Sequence, residues 1–273
     1  MRALRPRTLV LLAILAGGLW AAWALGLGPS GIEVSPGAWR VLGEFFGSAL
    51  RPALDSESGS GVALIPKALE AIRATVVFAA AAMSLSLVVG LLLGLLASSA
   101  WWSCDRSGRS FAPVIYGGTR ALIALMRSVH ELLWALLFLC AFGIKEINVI
   151  LAIAIPYGGT LAKVFSEMLD EAPRDASEAI CAAGGTRTQA FLFGLLPRAL
   201  PDMGAYAFYR FECALRSSAI LGFFGYPTLG YYISLSFENL YYREVWTYLY
   251  ALVLLVALVD WWSGALRRRL TVT

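Results

Sequence analysis

An all-α, polytopic membrane fold is what this sequence predicts, and three observations carry the prediction. Hydrophobic residues make up 59% of the 273-residue chain and charged residues only 15%, with a mean hydropathy of +0.71, more apolar than a soluble globular surface accommodates. The apolar residues gather into runs of about the 20 that a helix needs to cross a hydrocarbon core. Backbone polar groups find no partner in that core, so helices are the spanning units for such runs.

Six runs follow in order. The first, Thr8 to Leu27, and the second, Thr75 to Ala100, carry almost no polar side chain larger than Ser. A third lies between Thr119 and Gly143 and a fourth between Ile147 and Met168, each with a few ionisable groups. The fifth, Pro201 to about Gly222, is interrupted by Arg210, Glu212 and Arg216, and the sixth runs from Val245 to Ala265. Residues 1–28 are thus expected as a first transmembrane helix, 29–74 as a periplasmic loop and 75–270 as the main transmembrane domain. The basic start and the Ala22-Trp23-Ala24 pattern also fit a cleaved signal peptide, although the apolar run exceeds the ~7–15 residues usual for one.

Lys and Arg placement sets the expected orientation, because cytoplasmic flanks carry the excess positive charge. Arg2, Arg5 and Arg7, then Arg106 and Arg109, then Arg174, Arg187 and Arg198, and finally Arg267, Arg268 and Arg269 all fall inside when six crossings leave both termini cytoplasmic. The first loop mixes signs and contains a Ser/Gly-rich stretch from Asp55 to Gly61, which places it outside.

Several chemistries are set aside at this level. Cys104, Cys140, Cys181 and Cys213 have no paired metal-ligand spacing and read as inert thiols. The formal charge of +4 reflects flanking arginines, so no nucleic-acid partner is expected, and membrane lipid is. No P-loop, His-Glu-x-x-His or Gly-x-Ser-x-Gly pattern occurs. The chain is expected to perform no bond chemistry, to need no cofactor or metal, and to depend on another subunit if ATP drives it.

The connection over 170–200 reads as two short helices with a hinge. Asp175 followed by Glu178 predicts one capped start, Gly184-Gly185 a stop, and Thr186 followed by Gln189 a second capped start. Leu196-Pro197 is expected to break the chain before the next membrane helix. An ordinary helical hairpin would carry the same capping signals.

The spacing of Glu178-Ala179, Ala182, Gly184, Phe191 and Leu196-Pro197 resembles the EAA motif of binding-protein-dependent ABC permeases, with Ile180 where many members carry the third residue of Glu-Ala-Ala. Further segments are similar to the phosphonate/phosphite-import branch: Arg127 to Phe138, Tyr209 to Glu212, Arg216 to Gly222, and Leu258 to Arg269. The resemblance covers about Thr75 to the end and implies an ABC importer type I permease fold of the MetI-like kind. It also implies that Glu178, Ala179, Ala182, Gly184, Leu196 and Pro197 couple the chain to P-loop ABC ATPase subunits. The other implied partners are a periplasmic or lipid-anchored substrate-binding protein and a second permease copy. His130 stands where that branch usually has Pro, Pro156-Tyr157 replaces a His-containing stretch, and Gly225 to Gly230 replaces a smaller Gly-rich sequence, so the substrate is less constrained than the transport class.

Ionisable residues at membrane depth are functional candidates because each costs about 2.5–3.5 kcal/mol to insert. Arg210 and Arg216 could guide an oxyanion, or Glu212 and Arg216 could neutralise each other at i,i+4. Arg127, His130 and Glu131 form a second polar cluster, with Arg127 and Glu131 expected on one helix face. Pro156 with Gly158-Gly159 is expected to kink helix four, either for packing or for gate movement. Trp101-Trp102, Tyr241-Tyr242 and Trp261-Trp262 read as interfacial belts. Three rivals remain: an ABC importer permease for a different small solute, an ion-coupled secondary transporter, and an intramembrane enzyme, for which no catalytic constellation is evident.

Overall fold

The computed structural model describes residues 6–26, 36–57, 63–102 and 112–270. Two compact units emerge, Met1–Arg51 and Pro52–Thr273. The first contains α1 (Pro6–Ala24), long and apolar enough to cross a membrane, and α2 (Pro36–Ala49). On α2, Trp39, Leu42 and Phe46 recur at helical spacing and are exposed, which makes one apolar stripe. The stretch expected as an outer loop therefore contains a helix, with part of its Ser/Gly-rich segment outside the described residues.

The second unit is built around α3 (Leu64–Ala97) and α7 (Glu146–Glu171). At 34 residues α3 is about 51 Å long, well beyond a hydrocarbon core, so its first turns carry Lys67, Glu70 and Arg73 ahead of the apolar part. Small residues let these two helices approach closely. A Cβ added at Gly90 would lie 2.6 Å from the Leu161 Cβ. Close van der Waals contact of this kind drives helix association where lipid removes the hydrophobic incentive. Pro156 sits inside a continuous α7, and the neighbouring Gly158 and Gly159 face Val89 of α3 and Met126 of the next helix. Both glycines sit at close packing contacts here.

The third apolar run is the main correction. It forms α5 (Ala112–Ser128) and α6 (Glu131–Phe142), bent by 85° at the break. His130 has extended backbone, and its Nδ1 accepts a hydrogen bond from the Leu132 N–H at 3.3 Å, so it caps α6. Glu131 then places a carboxylate at the positive end of the α6 dipole. Arg127 and Glu131 consequently do not share a helix face.

Beyond α7 come α8 (Asp175–Ala182), a short α9 (Arg187–Gln189), a π-helical turn (Ala190–Leu195) and α10 (Leu196–Leu221). Leu196 and Pro197 open α10 without a break, because Pro in the first turn lacks only an N–H that would have no partner there. A 3₁₀ turn (Gly222–Phe224) leads to α11 (Leu229–Glu238), ten residues and too short to cross a membrane, and α12 (Tyr242–Leu270) closes the bundle. Thr75 pins this region: its hydroxyl accepts from the Leu229 N–H at 3.2 Å, and its carbonyl accepts from Ser218 Oγ at 3.0 Å.

Four helices among the described residues are long and apolar enough to span, or five if α5 and α6 make one span, against the six expected. The difference lies at α10, whose length suffices but whose charged residues lower its apolarity. Among the described residues, the three largest buried clusters hold the bundle together. One joins α3, α6, α7 and α10 around Phe78, Ile153, Tyr157 and Leu215. Another joins α3, α7, the π turn and α10 around Phe165, Phe191 and Met203. The last joins α3, α11 and α12 around Leu64, Leu229 and Tyr248.

Candidate functional site

At the end of α7, Asp170 ties three elements together. Its Oδ1 accepts from Ser98 Oγ at 2.7 Å and from the Ala100 N–H at 3.0 Å, capping α4 (Ser99–Trp102). The chain then turns through Pro173 into α8. The expected Asp175 cap is not formed: Arg174 occupies the N-cap position, and Asp175 lies inside the first turn. Asp175 instead faces Arg198 of α10 at 3.6 Å, and Arg198 donates to the Pro173 carbonyl at 3.1 Å.

Glu178, Ala179 and Ala182 fall at i, i+1 and i+4, and with Gly184 all four are exposed. Gly184 has φ +87°, a left-handed stop for α8 that a side chain would strain. The second start is as expected, with Thr186 and Gln189 forming a reciprocal capping box. The opposite face of α8 rests on the π turn so closely that a Cβ on Gly194 would come within 2.7 Å of the Ser177 Cα. The π turn in turn packs inward through Phe191, edge-on to Trp101 at 5.1 Å. Arg187 of α9 lies over Trp101 and Trp102 at 4.6 and 4.7 Å, so these tryptophans pack against the α9 and π-turn side of the platform. At the start of α10, Pro197 is exposed, whereas Leu196 is partly buried and packs against the core beneath the platform. Cys140 and Cys213 are free thiols, whereas Cys181 on α8 is disulfide-bonded, contrary to the expectation of an inert thiol. A cavity of about 590 Å³ opens beside this platform, lined by Glu171, Arg198, Asp202, Tyr206, Tyr209 and Arg267.

Deeper in the bundle, the candidates separate into three groups. His130, Glu131 and Arg210 are brought together through two residues not expected as site residues from the sequence, Tyr157 and Ser217. The Arg210 guanidinium stacks over the Tyr157 ring at 4.1 Å, and its Nε is buried without a hydrogen-bond partner. Tyr157 Oη lies 2.9 Å from Ser217 Oγ, which donates to Glu131 Oε1 at 2.8 Å. Ser217 has one proton, so Tyr157 donates to Ser217 and the chain of donors runs from Tyr157 to Glu131. His130 Nε2 stands 3.5 Å from the other Glu131 oxygen.

Glu212 and Arg216 pair locally at 3.3 Å, and Arg216 also donates to Cys213 Sγ at 3.5 Å. Arg210 and Ser217 share a face at i,i+7, while Glu212 and Arg216 point to the other side of α10. Arg127 belongs to neither group and lines a small cavity against α7. Neutral hydroxyls give no charge signal in an apolar run, so Tyr157 and Ser217 were discoverable only as large or polar residues adjoining charged ones.

A bundle of apolar helices with buried polar links and a short helix held outward at one end is the architecture of a multi-pass membrane protein. The chain belongs to the family described as binding-protein-dependent transport system inner membrane component, whose model matches residues 90–272. It is 33% identical over 156 residues to the phosphite transport system permease protein PtxC of Stutzerimonas stutzeri, covering 57% of each protein. It is 28% identical over 210 residues to the phosphate-import permease protein PhnE of Mycolicibacterium smegmatis, covering 77% of this chain and 37% of that one. The matches thus span less than two thirds of these relatives' length. Among solved structures, the inward-facing MetNI methionine ABC transporter superposes with a TM-score of 0.64 at 22% identity, over 79% of this chain and 99% of that one, a likeness of fold.

Proposed function

We propose that this chain is the membrane permease subunit of an ATP-driven importer and that its cargo is phosphonate, phosphite or a related oxyanion. The observation that carries the reading is the open face of α8, where Glu178, Ala179, Ala182 and Gly184 stand exposed on a helix fixed from behind. Small residues admit a close partner, and an exposed carboxylate can accept charge-assisted hydrogen bonds from it. The partner is a P-loop ABC ATPase subunit, which carries out the hydrolysis. A periplasmic or lipid-anchored binding protein delivers cargo, and a second copy of this chain completes the pathway in the inner membrane, with both termini cytoplasmic. The names of the relatives support the cargo class.

Mechanically, closure of the ATPase pair moves α8. The Arg198 contacts to Asp175 and Pro173, and the Gly194 seat on Ser177, transmit that motion to α10. Because α10 carries Arg210 and Ser217 while α7 carries Tyr157, tilting one past the other changes the polar link between them. His130, Glu131 and Arg210 are assigned to the translocation path; Glu212 and Arg216 are assigned to structural pairing. The test is ATP-driven uptake in proteoliposomes with the ATPase and binding protein, competed with phosphonate, phosphite, phosphate and sulfate. Uptake blocked by phosphonate or phosphite and lost on Glu178→Lys is expected. Uptake that needs no ATP would overturn the coupling assignment, and competition by another solute alone would overturn the cargo.

A further inference from the structure

Four residues of α5, Arg120, Ile123, Ala124 and Arg127, recur at i, i+3, i+4 and i+7 and so lie along one stripe. Opposite them, Lys163 and Ser166 of α7 share a face at i,i+3. Together they line a cavity of about 100 Å³. Its lining holds three cations and no carboxylate. Glu167, one turn on from Lys163, accepts from Lys163 Nζ at 2.6 Å and neutralises one of the three charges. Arg120 also donates to the Tyr116 hydroxyl, a neutral partner. Room for Arg127 is made by Gly159, where a Cβ would come within 3.0 Å of the Arg127 Cγ.

Arg120 and Arg127 are exposed and Lys163 is partly exposed, so the three cations border a space open to an anion, and an anion held there relieves their mutual repulsion. Guanidinium forks match the geometry of a tetrahedral oxyanion, and the lysine adds a point charge. Along α7, Lys163 lies about 12 Å from the end that leads into α8 and about 9 Å beyond Tyr157. We propose that Arg120, Arg127 and Lys163 form a second oxyanion station, placed between the Tyr157–Arg210 network and the α8 end, which holds a small tetrahedral oxyanion in transit. This deepens, and rests on, the oxyanion-import reading above. The cavity's size favours the bare phosphite or phosphonate head over an extended organic substituent.

A phospholipid headgroup offers the same chemistry, so the experiment separates the two sources. Binding of phosphite, methylphosphonate and inorganic phosphate to the purified chain is measured by ³¹P NMR in nanodiscs of neutral phosphatidylcholine, then with phosphatidylglycerol added. Expected is phosphite binding in neutral lipid that weakens about tenfold or more in the Arg120→Gln/Arg127→Gln double variant, since each lost charged hydrogen bond removes a substantial share of the affinity. Helical circular dichroism and gel filtration check that the variant folds. The Arg120→Lys/Arg127→Lys pair, which keeps charge but loses the forks, substitutes for it otherwise and is expected to bind with intermediate strength. Unchanged binding in the variant that folds overturns the station, as does binding of phosphatidylglycerol that phosphite does not displace. Wild-type proteoliposomes that import neither phosphite nor phosphonate overturn the cargo reading instead, and the nanodisc result still decides the station.

Discussion

The α8 platform and the Tyr157–Ser217–Glu131 network treat polar groups in opposite ways. On α8, Glu178 is exposed and the residues around it are small, so its face is available to a partner. In the bundle, Tyr157, Ser217 and Glu131 pass hydrogen bonds to one another, and the helices that carry them are packed on several sides. On the proposed function, the first region is completed by a partner from outside and the second is rearranged from within. What joins them is α10, which meets α8 through Arg198 and the network through Arg210 and Ser217.

The largest expected effect breaks the outward half of this contrast. Glu178→Lys should leave the fold intact yet weaken ATPase binding by about 2–5 kcal/mol, the range for spoiling one side of a buried interfacial charge pair. Co-purification and uptake assays would both read the loss, and full ATPase binding by the variant would sink the docking assignment. Next, Gly194→Ala places a methyl group against the Ser177 backbone and should destabilise the platform by about 1–3 kcal/mol, the usual cost of overpacking. A lower thermal unfolding midpoint is expected, with uptake impaired more than ATPase binding.

Ser217→Ala tests the inward half. It leaves Tyr157 without its acceptor and Glu131 without one donor, at a cost of about 1–3 kcal/mol. Combined with Tyr157→Phe the losses should be clearly less than additive; strict additivity in a double-mutant cycle would show that the chain of donors is not a unit. The smallest effect concerns Glu57, which pairs with Arg243 at 3.7 Å and whose own backbone N–H donates to Glu244. Burial raises the Glu57 carboxyl above its ordinary 4.5, Arg243 opposes the rise and Glu244 adds to it. A raised value means that protonation favours the fold, so that stabilisation is present below about 4.5 and is lost as pH climbs through the raised value. Glu57→Gln should therefore be slightly more stable than wild type at neutral pH, with the gap closing on acidification in a melting series.

How far the sequence foretold these regions depended on which physical signal each one uses. Spanning helices were legible because length and apolarity are direct requirements of the bilayer, and the Thr186–Gln189 box and Gly184 stop were legible because capping is local. The 85° bend at Ser128–His130 was not, since hydropathy is blind to direction and His130 acts there as a cap. Helices α2 and α11 were missed for a related reason: each is too short to register as a span. Within the candidate sites, the exposure of Glu178, Ala179, Ala182 and Gly184 on or just beyond a short helix fits the local capping signals, whereas the expected Asp175 cap does not form. The network could be read only at its charged members, because Tyr157 and Ser217 acquire their roles by packing across α7 and α10. Arg120 and Lys163 did carry a signal, charge within an apolar run, but their meeting depends on the facing of α5 and α7.

The π-helical turn at Ala190–Leu195 gives the motif a phase as well as a composition. A π turn is an α-helix that has taken in one additional residue, and each residue of helix advances the chain by about 100°. Removing one residue from this turn would let it relax to ordinary α geometry while Glu178, Ala179, Gly184, Leu196 and Pro197 all remained in the chain. The segment before it would then be turned by about a quarter of a revolution relative to α10, and the face now presented outward would be aimed elsewhere. Such a deletion variant would keep these letters of the motif and lose their bearing, so the count of residues between Gly184 and Pro197 is as much a part of the proposed joint as their identities.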